Sequence, residues 1–197
     1  MKAERQTEVY YVIFPKKADM AHSALFDMVD ILKGAFVIGF MLFLLVFRVS
    51  GVVGSSMNNT FMDGDRLLIT AITTNIKRGD VVIICQPWED DKLLVKRVVG
   101  IEGDTIDIDF EKGEVYRNGE MLDEPYIRDY GREGTARSGD VLFPVTVPEG
   151  EVFVMGDNRN NSRDSRFKAI GFIKEEYIMG RAFYRISPKA TRIERMK

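Results

Sequence analysis

Histidine and cysteine are nearly missing from this chain, with one of each among 197 residues. The lone cysteine, Cys85, follows the apolar run Val81-Val82-Ile83-Ile84 and reads as buried packing. It excludes an intrachain disulfide, so an exported part has to be stable without one. One cysteine and one histidine cannot build a zinc site, and no carboxylate cluster at ligand spacing replaces them. The expectation is therefore no metal and no cofactor. The histidine, His22, precedes a membrane-like run, so a Ser-His-Asp triad with a serine beyond that run is excluded if the run spans a bilayer. An activated serine then needs another base. An excess of one charge is missing as well: 28 Lys and Arg stand against 30 Asp and Glu, a net charge of -2, which gives no sign of a nucleic-acid partner. What is present, 45% hydrophobic and 29% charged residues, suits one globular domain with an accessory segment.

Only one long hydrophobic run occurs. Residues 31–53 are mostly apolar, and their uncharged centre, residues 34–47, lies between Lys33 and Arg48. At about 1.5 Å per residue that centre is shorter than the roughly 30 Å hydrocarbon core. Lys33 and Arg48 stand at its ends, where long basic side chains reach the interface, and the apolar residues beyond them restore the span. The run reads as one transmembrane helix, residues 30–53, between an N-terminal segment 1–29 and a domain 54–197. A cleaved signal peptide fits less well, because about thirty residues precede the run and Val-Val-Gly follows it. A buried core helix also fits less well, because residues 42–47 are apolar all round. Lys16, Lys17 and Lys33 precede the centre and only Arg48 closely follows, which puts the N-terminus in the cytoplasm and the remaining chain outside. The apolar patch at residues 9–14 leaves a strand and an interfacial anchor equally open.

Beyond residue 56 the pattern becomes short β-like runs at 66–70, 80–85, 93–99, 105–110, 114–117 and 151–155. Turn signals separate them, and Asn118-Gly119 between Val115-Tyr116 and Met121-Leu122 is a hairpin signal. Only residues 173–179 offer a helical alternative. Residues 123–140, polar and rich in Gly and Arg, read as an extended excursion. The fold class is mainly β, an antiparallel sheet domain preceded by one transmembrane helix.

Three stretches are able to carry chemistry. Gly54-Ser55-Ser56-Met57-Asn58-Asn59-Thr60 is either a plain polar turn or the seat of a nucleophile, Ser56. Without histidine, a desolvated lysine is the best base for a serine hydroxyl, and Lys96 in Leu93-Leu94-Val95-Lys96-Arg97-Val98-Val99 is the candidate. Alternation puts Lys96 beside apolar residues on one face and Arg97 on the other. A base working near neutrality needs its pKa about two to three units below the free-lysine value of about 10.4, which burial among Leu and Val is able to produce. The competing reading is a solvent-facing lysine on an edge strand. The third stretch runs from Gly156 to Arg166, dense in Asp, Asn and Arg. It is a solvated loop, a hydrogen-bonded network or a calcium loop, the last opposed by its arginines.

Taken in order, Gly-x-Ser-Met, Arg78-Gly79-Asp80, Lys96-Arg97 and Gly-Asp-Asn-Arg-x-x-Ser-x-Asp-Ser-Arg resemble the boxes of bacterial type I signal peptidases. The spacing from Ser56 to Lys96 and the single anchor resemble the shorter Gram-positive members. The resemblance implies a β domain of the signal-peptidase and SOS-repressor protease type, with Ser56 as nucleophile and Lys96 as general base. It also implies that Ser162 hydrogen-bonds the lysine amine, that Asp164 pairs with Arg166, that Arg97 pairs with Asp157, and that the Ser56 backbone N–H forms part of an oxyanion hole. The implied partners are secretory preproteins and membrane lipid, at the outer face of the cytoplasmic membrane. A preference for small side chains, often Ala-x-Ala, would require shallow S1 and S3 pockets.

Two departures stand out. Asn59 occupies a position where the family commonly has Pro, and Gly54 cannot offer the second oxyanion hydroxyl some members carry. An SOS-repressor-like self-cleaving protein would need an N-terminal helix-turn-helix in place of the membrane run. A membrane-tethered β module that assists export or binds a partner without catalysis is the alternative from another class.

Overall fold

The structure is a computed structural model that describes residues 17–86, 92–127, 134–187 and 191–193. The patch at residues 9–14 lies outside them. Two units follow one another along the chain, with the division after Phe43.

The N-terminal element is one helix, α1 (Lys17–Val46). Its segment Ala24–Val46, 23 residues with a mean hydropathy of 2.3, is long and apolar enough to cross a membrane. At 1.5 Å per residue it measures about 35 Å. Lys33 pairs with Asp30 one turn away at 3.0 Å, so the two charges in this part of the run offset each other locally.

The helix stops at Val46, earlier than the apolar run predicts. Residues expected to continue it to 53 instead form β1 (Phe47–Gly51), which pairs antiparallel with β2 (Arg66–Thr70) from Phe47↔Thr70 to Gly51↔Arg66. Arg48 is therefore a strand residue opposite Ile69 and not a helix-end cation. The physical cause lies in long-range pairing. Phe47 packs edge-on against Phe183 at 5.8 Å, and Val52 enters the core at 4% exposure. The β2 edge thus takes up backbone groups that a helix would otherwise satisfy internally.

The second unit is mainly antiparallel β. Further strands are β3 (Val81–Gln86), β4 (Lys92–Ile101), β5 (Thr105–Asp109), β6 (Glu114–Arg117), β7 (Glu120–Met121), β8 (Val145–Thr146), β9 (Glu151–Met155), β10 (Ile173–Lys174), β11 (Ile178–Ser187) and β12 (Thr191–Arg192). The larger sheet runs β1-β2-β11-β3-β4-β9-β10, with β12 on β11, and the smaller runs β7-β6-β5-β8. The Asn118-Gly119 hairpin forms as its sequence predicts, with both residues at positive φ between β6 and β7.

The helical alternative at residues 173–179 is not realised. Those residues form β10, a 3₁₀ turn at Glu175–Tyr177 and the start of β11. β11 sits between β2 and β3 inside the larger sheet, yet its sequence gives no clean alternation. Register shifts at Ile178/Gly180, Ala182/Tyr184 and Arg185/Ser187 break the period of two.

Candidate active site

Lys96 is delivered by β4, one of the two longest strands, where it stands opposite Val82 of β3. Alternation puts Leu94 and Val98 on the same face, and Val82 and Val98 are fully buried members of one core cluster. The lysine is 2% exposed, which removes the edge-strand reading. Its Nζ donates to Ser56 Oγ at 2.7 Å and to the Val95 carbonyl at 3.2 Å.

Ser56 comes from a turn that follows β1. The backbone folds back on itself through Asn58 N–H to the Ser55 carbonyl, at 3.0 Å, and Phe61 N–H to the Met57 carbonyl, at 2.8 Å. Met57 and Phe61, each 1% exposed, plug the turn into the core. Gly54 has φ +89° and donates its N–H to the Asp63 carboxylate at 2.7 Å. Asn59 has φ 93°. Proline is locked near -65°, so a Pro at residue 59 could not adopt this backbone.

The loop from Gly156 to Arg166 is a network. Asn158 N–H donates to the Ser56 carbonyl at 3.0 Å, its side-chain amide donates to the Ser55 carbonyl at 2.9 Å, and Asn161 Nδ2 donates to Ser55 Oγ at 2.8 Å. Gly156 makes this approach possible. A Cβ there would collide with Ser162 Oγ and with the Ser56 carbonyl oxygen.

Two buried ion pairs brace the loop. Arg97 grips Asp157 in a two-pronged contact, Nε to Oδ1 at 2.8 Å and Nη2 to Oδ2 at 2.6 Å, with the two side chains 2% and 0% exposed. The Thr60 hydroxyl donates to the same carboxylate. Arg166 grips Asp164 through Nε at 2.8 Å and Nη2 at 2.9 Å, with neither side chain exposed. Burial alone would raise the Asp164 carboxyl, but the Arg166 guanidinium and the Gly156 N–H hold it below the usual carboxylate range.

The structure brings Ser56, Lys96, Arg97, Asp157, Asp164 and Arg166 together in the pairings the resemblance implies. It does not join Ser162 to Lys96. The Ser162 hydroxyl is buried next to the Gly156 backbone and faces the Asp164 carboxylate, which it helps to hold low. Among the described residues no group of His, Cys, Asp and Glu could hold a metal ion.

A third buried pair gave no sequence signal. Arg159, named only as one of the loop's arginines, meets Glu124 of the excursion, Nη1 to Oε2 at 2.6 Å and Nη2 to Oε1 at 2.5 Å. The excursion expected after the hairpin thus contributes a buried partner to the site loop. Its Glu124 is one of several acids in a polar stretch, directly after Asp123, and nothing in local sequence marks its partner 35 residues away.

Residues 25–187 match the family described as signal peptidase, peptidase S26. Signal peptidase I of Bacillus licheniformis is 36% identical over 172 residues, 84% of this chain and 90% of that protein. Signal peptidase I T of Bacillus subtilis is 41% identical over 158 residues, 74% of this chain and 79% of that protein. A solved signal peptidase I from Enterococcus faecalis, 28% identical, covers 55% of this chain and 97% of its own at a TM-score of 0.42. The family match takes in the apolar helix, the serine turn, the lysine strand and the bracing loop alike, and the chain belongs to the signal peptidase family, peptidase S26, as a serine endopeptidase.

Proposed function

We propose that this protein removes signal peptides from secretory preproteins with a Ser56–Lys96 dyad. The 2.7 Å contact between Lys96 Nζ and Ser56 Oγ carries this reading. With the amine neutral, the hydrogen bond runs the other way and the serine hydroxyl donates. Ser56 Oγ then attacks the scissile carbonyl carbon while Lys96 takes the hydroxyl proton. The tetrahedral intermediate collapses as Lys96 returns that proton to the leaving amine, which frees the mature protein. Water, deprotonated by the same lysine, hydrolyses the acyl-enzyme and releases the signal peptide.

The Ser56 N–H has no acceptor among the described residues and serves as an oxyanion donor, held by Asn158 on the Ser56 carbonyl. Such a donor contributes about 3 kcal/mol to the transition state. Ser162, buried beside Gly156, receives the lysine amine as the proton moves onto it. Asp157–Arg97 and Asp164–Arg166 hold the loop that supports both. Gly54 has no hydroxyl, so a backbone group or solvent supplies any second oxyanion donor.

The 23-residue apolar segment serves as a single membrane anchor, with the N-terminus in the cytoplasm and the β domain at the outer face. Preproteins and membrane lipid are then the partners. The test is cleavage of a preprotein with an Ala-x-Ala signal by the purified full chain in detergent. Wild type is expected to process it and Ser56→Ala to leave it intact while remaining folded. Processing by Ser56→Ala would overturn the assignment, and no processing by folded wild type would favour the noncatalytic module.

A further inference from the structure

We propose that Glu124 and Tyr126 are positioning residues for the Ser56–Lys96 dyad, a clamp through which the excursion after β7 holds the neighbours of both reacting groups; this rests on the dyad reading above. The Glu124 and Arg159 side chains are 5% and 2% exposed, and two charged hydrogen bonds join them. Tyr126 donates its hydroxyl to Glu124 Oε1 at 2.6 Å and lays its ring under the Arg97 guanidinium, 4.0 Å from centroid to Cζ. Arg97 is the residue after Lys96, and Arg159 is the residue after Asn158. Asn158 in turn holds the Ser56 carbonyl through its N–H and the Ser55 carbonyl through its side chain.

The clamp acts on the loop at three further points. Arg159 Nε donates to the Gly156 carbonyl at 3.2 Å, at the glycine where Ser56 and Ser162 converge. The Arg159 carbonyl accepts from Arg166 Nη2 at 2.6 Å, which links the clamp to the Asp164 pair. Thr135, fully buried on the returning limb, accepts from Arg159 Nη1 at 2.9 Å. Among the described residues, the polar contacts of the Arg159 side chain therefore end on the excursion or on the Gly156 carbonyl. Releasing it frees the Asn158 amide, and with it the position of the nucleophile's backbone, without touching either reacting atom. Misplacement of a reacting group by about 1 Å is able to reduce turnover on the order of 100-fold.

Four variants test this: Glu124→Gln, the conservative Glu124→Asp, the double variant Glu124→Gln/Arg159→Gln, which leaves no unpaired buried charge, and Tyr126→Phe, which keeps the ring. The full chain in detergent is assayed on a signal-peptide substrate well below the unfolding temperature, with kcat and KM measured separately. We expect kcat to fall about tenfold or more in Glu124→Gln and in the double variant, with KM within about twofold. Tyr126→Phe should fall less, and Glu124→Asp should recover part of the loss. Folded variants with wild-type kcat would overturn the clamp, as would failure of all of them to fold, which would make the limb a structural strut. Wild type and Ser56→Ala run alongside: cleavage by wild type but not by Ser56→Ala, with unimpaired clamp variants, defeats this inference and leaves the dyad standing, whereas cleavage by Ser56→Ala defeats the dyad itself.

Discussion

The two halves of the dyad are held by opposite means. Lys96 lies in the middle of a ten-residue strand with regular pairing to β3, beside buried Val82 and Val98 and partly buried Leu94. Ser56 lies on a turn that contains two residues at positive φ and two asparagines with buried, unpartnered side-chain atoms. The strand fixes the base mainly through its own ladder, with Tyr126 adding support from under the neighbouring Arg97. The turn has almost no regular pairing, and the Gly156–Arg166 loop fixes the nucleophile from outside. The lesson is that the nucleophile's position depends on residues 100 or more positions away.

Among changes that leave both reacting groups in place, the largest effect should come from joining the two halves wrongly. Gly156→Ala puts a methyl into the Ser56 carbonyl and the Ser162 hydroxyl, and steady-state assays should show kcat reduced on the order of 100-fold. Wild-type turnover would mean that the loop does not hold the turn.

Breaking a brace comes next. Asp157→Asn leaves Arg97 buried beside a neutral partner and should destabilise the domain by about 3 kcal/mol. Calorimetry should register that as a melting temperature lower by roughly 10 °C. A change of a degree or less would show that the pair is replaceable.

Asn59 sharpens the comparison from the turn's side. Asn59→Gly suits φ 93° and should keep or raise stability by up to about 1 kcal/mol. Asn59→Pro cannot adopt that angle and should lower both stability and kcat. A proline variant as stable and active as wild type would show that the turn takes the common family shape.

The smallest effect is pH dependence. Because the Asp164 carboxyl is held low in the folded state, its contribution to stability is fully present above the unfolded value of about 3.9 and is lost as pH falls through the lower folded value. Melting temperature should therefore drop below about pH 4, and less steeply in Asp164→Asn than in wild type. Equal slopes would remove the assignment of that drop to Asp164.

Much of this was legible in the sequence because its signals were local or ordered along the chain. Short alternating runs gave β2 to β6 and β9, and the ordered boxes gave Ser56, Lys96, Arg97–Asp157 and Asp164–Arg166. What escaped depended on contacts between distant residues. β11 hides its alternation behind register shifts, and residues 47–51 look like membrane helix until β2 offers them an edge. Glu124 meets Arg159 only after the excursion folds back. Asn59 was visible as a departure, but only its backbone angle shows that proline would not fit.

The central claim is that Lys96 is the base for Ser56, and single-turnover cleavage by Lys96→Met tests it most directly. The account predicts a folded protein, with melting temperature at or above that of wild type because a buried amine is gone, and acylation slower by about 1000-fold or more. A folded Lys96→Met enzyme that cleaves within about tenfold of the wild-type rate would contradict it.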